Sequence, residues 1–183
     1  MNDFDYIKKA CFTGYRPEKF PFKLNSRDPQ FNKMIARVIS TLEALIDDGC
    51  KTFYSGMAMG FDILCAECVL KLREKYNDIN LICVMPYKNQ ESAFPIDWQQ
   101  RYKYVLKKCD ESIYISDDYH KACFQERNMF MVDNSDFVVC WYDGKKGGTR
   151  NTLKYAQKKM RTVININIEY DENFESIQTM LSL

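Results

Sequence analysis

The sequence holds a single histidine, His120, with only seven glycines and five prolines in 183 residues. One histidine excludes a helical zinc-protease site, a two-histidine metal site and any histidine relay. No apolar run approaches the roughly 20 residues that a membrane-spanning helix needs, so no membrane partner is expected. Charge of one sign is also missing. The 26 basic and 25 acidic side chains leave a net charge of +1, which argues against a general polyanion binder. The first residues, Met1-Asn2-Asp3-Phe4-Asp5, lack the basic-then-apolar pattern of a secretory leader, and a cytoplasmic setting is expected. Apolar material is not scarce. At 46% hydrophobic and 14% aromatic the chain can bury a sizeable core, and intrinsic disorder is excluded.

Eight cysteines invite a redox or metal reading. Most lie inside apolar stretches, where cysteine behaves as a small hydrophobe. Cys65 and Cys68 form the only close pair. They fall within a helical pattern, with no second pair at zinc spacing. All eight are expected to be reduced and metal-free.

Six short β-branched or aromatic runs alternate with longer helical patterns. The runs are Ala10–Phe12, Thr52–Tyr54, Leu81–Met85, Ser112–Ile115, Phe137–Trp141 and Val163–Ile166. The third and fifth are almost continuously apolar, as strands covered on both faces are. Between the first two, Phe31, Met34, Ile35, Val38, Leu42, Leu45 and Ile46 recur at helical spacing. Asp28 supplies an N-cap, Pro29 a first helical position, and Gly49 the stop. Further helices are expected over Ile63–Tyr76, around Trp98–Cys109, over His120–Asn134, around Leu153–Met160, and near Glu172–Leu183. This alternation predicts a Rossmann-like α/β fold: three layers, one domain over 1–183, and a mostly parallel sheet of about six strands. The loop Tyr15–Arg27 is long and aromatic, suited either to covering a site or to packing as ordinary surface.

Ligands of open parallel sheets bind beyond the carboxyl ends of the strands. Five of the seven glycines fall in three such turns: Gly14 after the first strand, Gly56 and Gly60 after the second, Gly147 and Gly148 after the fifth. The last two turns run straight into helices. Free N–H groups and a partial positive charge make a helix start attractive to an anion, and glycine lets the backbone come close. Neither the P-loop pattern nor G-x-G-x-x-G occurs, so a standard dinucleotide site is disfavoured. Valine at 148 is expected to block an anion through its bulk and its aversion to positive φ. Arg127 lies three and four residues from Phe124 and Met131, a spacing that directs it towards the strand ends, where it would fork onto a phosphate or carboxylate. On spacing alone, a surface arginine paired with Glu126 or Asp133 is the simpler reading.

These residues resemble a family. Ser55-Gly-Met-Ala-Met-Gly-Phe-Asp62 is similar to the S-G-x-A-x-G-[IFV]-D loop of the SLOG superfamily, which includes DprA and the Lonely Guy proteins. Thr13-Gly-Tyr-Arg-Pro17, Gln125-Glu-Arg-Asn128, Met131–Asp136 and Tyr142–Thr149 narrow the resemblance to its YpsA-like branch. The resemblance implies a pocket for a nucleotide or nucleotide-derived ligand. The residues expected to bind it are Gly14, Arg16, Ser55, Gly56, Gly60, Asp62, Arg127, Gly147, Gly148 and Thr149. It also implies a dimer or larger homo-oligomer. Lonely Guy enzymes cleave nucleoside 5′-monophosphates, using an arginine that Arg127 matches and a glutamate where this chain has Thr152.

Three readings follow. The first is a nucleotide-ligand sensor or regulator, with no cofactor and no metal. The second is an N-glycoside hydrolase or base transferase. It would use Arg127 with Asp62, Glu67 or Asp143, because an oxocarbenium-like state needs a carboxylate. The third, ranked last, is a DprA-like partner of single-stranded DNA. The basic run Lys145, Lys146, Lys154, Lys158, Lys159 and Arg161 would serve it, but such a run is more often a solvated face.

Overall fold

A computed structural model of the chain describes residues 6–167. Six strands, β1 (Lys8–Thr13), β2 (Cys50–Ser55), β3 (Asn80–Tyr87), β4 (Glu111–Ser116), β5 (Phe137–Cys140) and β6 (Thr162–Asn165), form one sheet in the order β4-β3-β2-β1-β5-β6. Every pairing is parallel. Five helices alternate with them: α1 (Pro29–Asp47), α2 (Phe61–Leu72), α3 (Ile96–Lys108), α4 (Cys123–Asp133) and α5 (Gly148–Lys158). All six expected strand runs are strands. The helix expected near Glu172–Leu183 lies outside the described residues.

The local chemistry accounts for the elements. Asp28 caps α1 by accepting the Gln30 N–H at 2.9 Å, Pro29 occupies the first turn, and Gly49 takes φ +90° past its end. Met34, Val38, Leu42, Leu45 and Ile46 bury one stripe of α1. α2 is buried almost all round, with Ile63, Leu64, Cys65, Ala66 and Val69 between the sheet and its neighbours. It begins two residues ahead of the expected Ile63, because Gly60 opens the turn that starts it. The sheet core is β1 and β2, where Phe12 and Phe53 stack at 6.2 Å. β4 is an edge strand, and its exposed residues reflect that.

All eight cysteines are free, and seven are buried. Burial pushes the thiols of Cys11, Cys50 and Cys68 up to about 12, which makes them poor nucleophiles. Half-buried Cys109 shifts the other way: a hydrogen bond from the Cys83 thiol draws it below its usual range. No helix among the described residues is long and apolar enough to cross a membrane.

The topology determines where a site can form. α1 packs on α2 and α2 on α3, whereas α4 packs on α5. Right-handed crossovers place the first three helices on one face and the last two on the other. The direction of winding reverses between β1 and β5. At such a reversal the two following loops diverge and leave a crevice beyond the strand ends.

Candidate functional site

The crevice is a cavity of about 160 Å³. Its floor is the end of β1, Thr13 and Gly14, and its near wall is Tyr15, Arg16 and Lys19. Ala58 and Asp62 come from the β2–α2 connection, Phe124, Arg127 and Asn128 from α4, and Gly148 and Thr149 from the first turn of α5.

The β2–α2 loop is fastened from within. The Ser55 hydroxyl accepts the Met57 N–H at 3.2 Å and donates to the Asp62 carbonyl at 3.0 Å. The Phe61 N–H donates to the Tyr15 carbonyl at 3.1 Å, tying this loop to the one after β1. Gly60 stands at φ +101°, and a Cβ there would overlap the Tyr15 carbonyl oxygen. A Cβ on Gly56 would lie 2.7 Å from the Asp62 carboxylate and from the Arg127 guanidinium carbon. Each glycine is therefore required where it stands.

Arg127 is buried, with 4% of its surface exposed. Its Nη1 donates to the Gly56 carbonyl and its Nε to Asn128 Oδ1 at 2.8 Å. Its guanidinium faces Asp62 at 3.9 Å, and both side chains are 5% exposed. The surface pairing with Glu126 or Asp133 is thus overturned. Glu126 faces His120, and Asp133 holds Lys159 and the Tyr155 hydroxyl. Asn128 Nδ2 continues the chain to Thr152 Oγ1 at 2.9 Å, and Thr152 donates to the Gly148 carbonyl at 3.0 Å. One run of hydrogen bonds therefore links the Gly56 turn to the start of α5. Thr152 is occupied in that run and brings no carboxylate.

Burial raises the Asp62 carboxyl to about 6, although Arg127, the Ala58 N–H and Arg16 all favour its ionised form. Burial likewise lowers Arg127. From about pH 4 to 6 the folded chain binds more protons at Asp62 than the unfolded chain does. Its contribution to stability therefore falls as pH rises through that window. Asp62→Asn removes the loss. In urea titrations its stability relative to wild type should rise by up to about 3 kcal/mol between pH 4 and 7. A pH-independent difference would show that Asp62 ionises as an ordinary surface carboxylate.

Of the residues singled out from sequence, Gly14, Arg16, Asp62, Arg127, Gly148 and Thr149 line the cavity. Ser55, Gly56 and Gly60 stand behind its wall and brace it. Gly147, at φ +153°, precedes the α5 start beside the Lys19 ammonium. Gly148 does not have positive φ, and a Cβ on it would meet nothing within 4 Å. The expectation that valine at 148 is barred by backbone conformation is therefore wrong; the strained glycine is Gly147.

Two carboxylate candidates stand elsewhere. Glu67 forms a two-pronged pair with Arg101 between α2 and α3, and does not reach the cavity. Asp143 accepts the Tyr15 hydroxyl and pairs with Lys145 at 2.7 Å, lining a separate cleft beside Trp141. Burial pushes Asp143 up, but the bonds from Lys145 and Tyr15 outweigh it and hold the carboxyl below its usual range.

Sequence reasoning missed Thr13, Tyr15, Lys19, Ala58, Phe124 and Asn128 as lining residues. Thr13, Tyr15, Ala58 and Asn128 stand inside the quoted motifs, and that is the signal they carried. Within the Tyr15–Arg27 loop both expectations hold in part: Arg16 and Lys19 line the cavity, while Phe20 and Phe22 pack on Trp141 at 5.4 Å. Neither Arg16 nor Lys19 has a carboxylate partner among the described residues; Arg16 lies over the Phe124 ring at 6.0 Å. No group of three histidine, cysteine or acidic side chains suited to a metal occurs among the described residues.

Comparison with known proteins agrees with this architecture. The YpsA family model, described as the YspA SLOG family, matches residues 10–173. The chain is 32% identical over 145 residues to the uncharacterized SPbeta prophage-derived protein YoqJ of Bacillus subtilis (strain 168), covering 72% of this chain and 85% of that one. It is 27% identical over 160 residues to a UPF0398 protein of Bacillus velezensis, covering 85% and 87%. Among solved structures, DNA processing protein A of Helicobacter pylori, whose study describes its single-stranded DNA binding mode, superposes with TM-score 0.63. It shares 18% identity, over 97% of this chain and 80% of that one. The DprA of Streptococcus pneumoniae superposes with TM-score 0.58 at 19% identity, over 89% and 51%. At such identities the likeness is one of fold.

Proposed function

The chain belongs to the YpsA (YspA SLOG) family, and from that membership and the crevice between β1 and β5 we propose that it binds a nucleotide or nucleotide-derived small molecule, as a sensor or regulator. The observation that carries this reading is the pairing of two cations with no ion pair among the described residues, Arg16 and Lys19, with the N-terminus of α5 on one small cavity. The N–H groups of Gly148 and Thr149 and the end of the helix dipole favour an anion there. A phosphate is the fitting group, because guanidinium and ammonium together match its charge and several acceptor oxygens. Arg127 lines the same cavity. Its Nη1 and Nε are committed to Gly56 and Asn128, so it contributes field and shape.

Thermal shift with nucleotides tests the reading. A ligand at 100 times its dissociation constant should stabilise the fold by about 2.7 kcal/mol. Arg16→Ala should weaken that binding by about 1.5–3 kcal/mol, the scale of a hydrogen bond to a charged group, with the unliganded melt unchanged. No shift with any nucleotide would refute it.

One observation favours hydrolysis as the second reading. Asp62 lines the cavity, and a carboxyl near 6 is suited to proton transfer. Release of free base from a nucleoside monophosphate, abolished by Asp62→Asn, would establish it in place of the sensor.

A further inference from the structure

A second hollow, of about 200 Å³, lies between α4 and α5. It shares Phe124, Asn128 and Gly148 with the first cavity, so the two adjoin at the N-terminus of α5. Each alone is smaller than the roughly 300 Å³ at which small-molecule pockets usually begin; a ligand spanning both would have that much room.

The two halves differ in chemistry. The first holds Arg16, Lys19 and the helix start. The second is lined by the Phe124 and Tyr155 rings and by three side-chain amides, Gln125, Asn128 and Asn151. Amides offer donor and acceptor together, as the edge of a nucleobase does, and aromatic faces stack on bases. The rings are held in place before any ligand arrives. Tyr87 and Tyr119 meet Phe124 edge-on at 5.9 and 6.3 Å, and the Tyr155 hydroxyl donates to Asp133. The amides of Gln125 and Asn151 make no hydrogen bond to the described residues, whereas that of Asn128 is engaged with Arg127 and Thr152.

We infer that the α4–α5 hollow is a base subsite, so that the ligand class is a nucleoside 5′-monophosphate: phosphate against Arg16 and α5, base between Phe124 and Tyr155 and read by Gln125 and Asn151. This rests on the phosphate reading above and adds the occupant of the second hollow. Pre-set rings lower the ordering cost of binding.

Calorimetry on the full chain with the four common nucleoside 5′-monophosphates, ribose 5-phosphate and inorganic phosphate separates the two claims. At least one nucleotide should bind about tenfold or more tighter than ribose 5-phosphate, the scale of one stacked base. Asn151→Trp, which fills the hollow from an exposed helix position, should reduce that nucleotide to the affinity of ribose 5-phosphate and leave ribose 5-phosphate itself unchanged. The double variant Gln125→Ala/Asn151→Ala should narrow the spread among the four bases. Equal binding of ribose 5-phosphate and every nucleotide would overturn the base subsite and leave the phosphate site standing. So would a nucleotide preference that survives Asn151→Trp. Tighter binding of a single-stranded oligonucleotide than of any mononucleotide would overturn it in favour of a DNA groove. If none of the compounds binds, the phosphate reading fails first.

Discussion

Arg127→Met should destabilise the protein by about 3–5 kcal/mol at pH 7.5, a large part of the roughly 5–15 kcal/mol that holds a typical domain folded. Methionine keeps the apolar stem of the side chain and removes the guanidinium, so the loss is chiefly electrostatic. Asp62 would stay buried with its partner gone, and the Gly56 carbonyl would lose its donor. The effect carries a pH signature. Without the guanidinium the Asp62 carboxyl rises further above 6, so at pH 5 it is protonated in variant and wild type alike. The loss at pH 5 should therefore shrink to the missing hydrogen bonds. Arg127→Met/Asp62→Asn should recover much of the stability lost at pH 7.5, since removing both members of a buried pair is far milder than removing one. Equal losses at the two pH values, or a double variant no better than the single, would show that the pair is not what holds this corner together. Binding measured in Arg127 variants should accordingly be read only alongside their stability.

Gly60→Ala should cost about 2–4 kcal/mol, although it adds one methyl group. The residue sits at φ +101°, which L side chains rarely adopt, and the new Cβ would overlap the Tyr15 carbonyl oxygen. Because the obstacle is backbone, no rotamer change relieves it. The loop after β1 must move, and the Phe61 to Tyr15 hydrogen bond and the cavity wall at Arg16 go with it. Gly148→Ala is the matched control. It occupies a helical first turn in open space, where alanine should be neutral or stabilising by about 0.5–1 kcal/mol. Urea melts of the two variants side by side decide the matter; a mild Gly60→Ala would show that the β1 loop yields easily.

The contrast between these glycines shows how far the sequence could be read. Glycine marks a turn, but only the neighbours reveal whether it is needed for conformation, for room or for neither. The apolar runs at Leu81–Met85 and Phe137–Trp141 disclosed strands because a strand covered on both faces leaves no polar period. The stripe and caps of α1 disclosed its ends. The partnership of Arg127 with Asp62 spans 65 positions and two crossovers, and nothing local encodes it. Glu67 was a reasonable candidate by type, yet five residues along a helix from Asp62 it emerges well round the cylinder, towards α3 and Arg101. Asp143 was rightly placed near the strand ends, but the Tyr15 hydroxyl and the Lys145 ammonium already occupy it. Lys19 was legible only as part of the Tyr15–Arg27 loop and Phe124 only as a helical neighbour of Arg127; tertiary packing brings them to the cavity.

The sheet order also bears on when the protein becomes competent. Ala10 in β1 pairs with Phe137 in β5, so the central strand gains its second neighbour only after most of the chain has been made. The segment through β4 can already assemble β1, β2, β3 and their helices from nearby contacts. It carries the Gly56 and Gly60 turns, Arg16, Lys19 and Asp62, but neither the α4 wall nor the amides of Gly148 and Thr149. Closing the crevice is therefore a late, long-range event, of the kind that sets the pace of folding in parallel sheets. A nascent chain thus passes through a stage with a nearly finished scaffold and no crevice, and the pocket is among the last features to take shape.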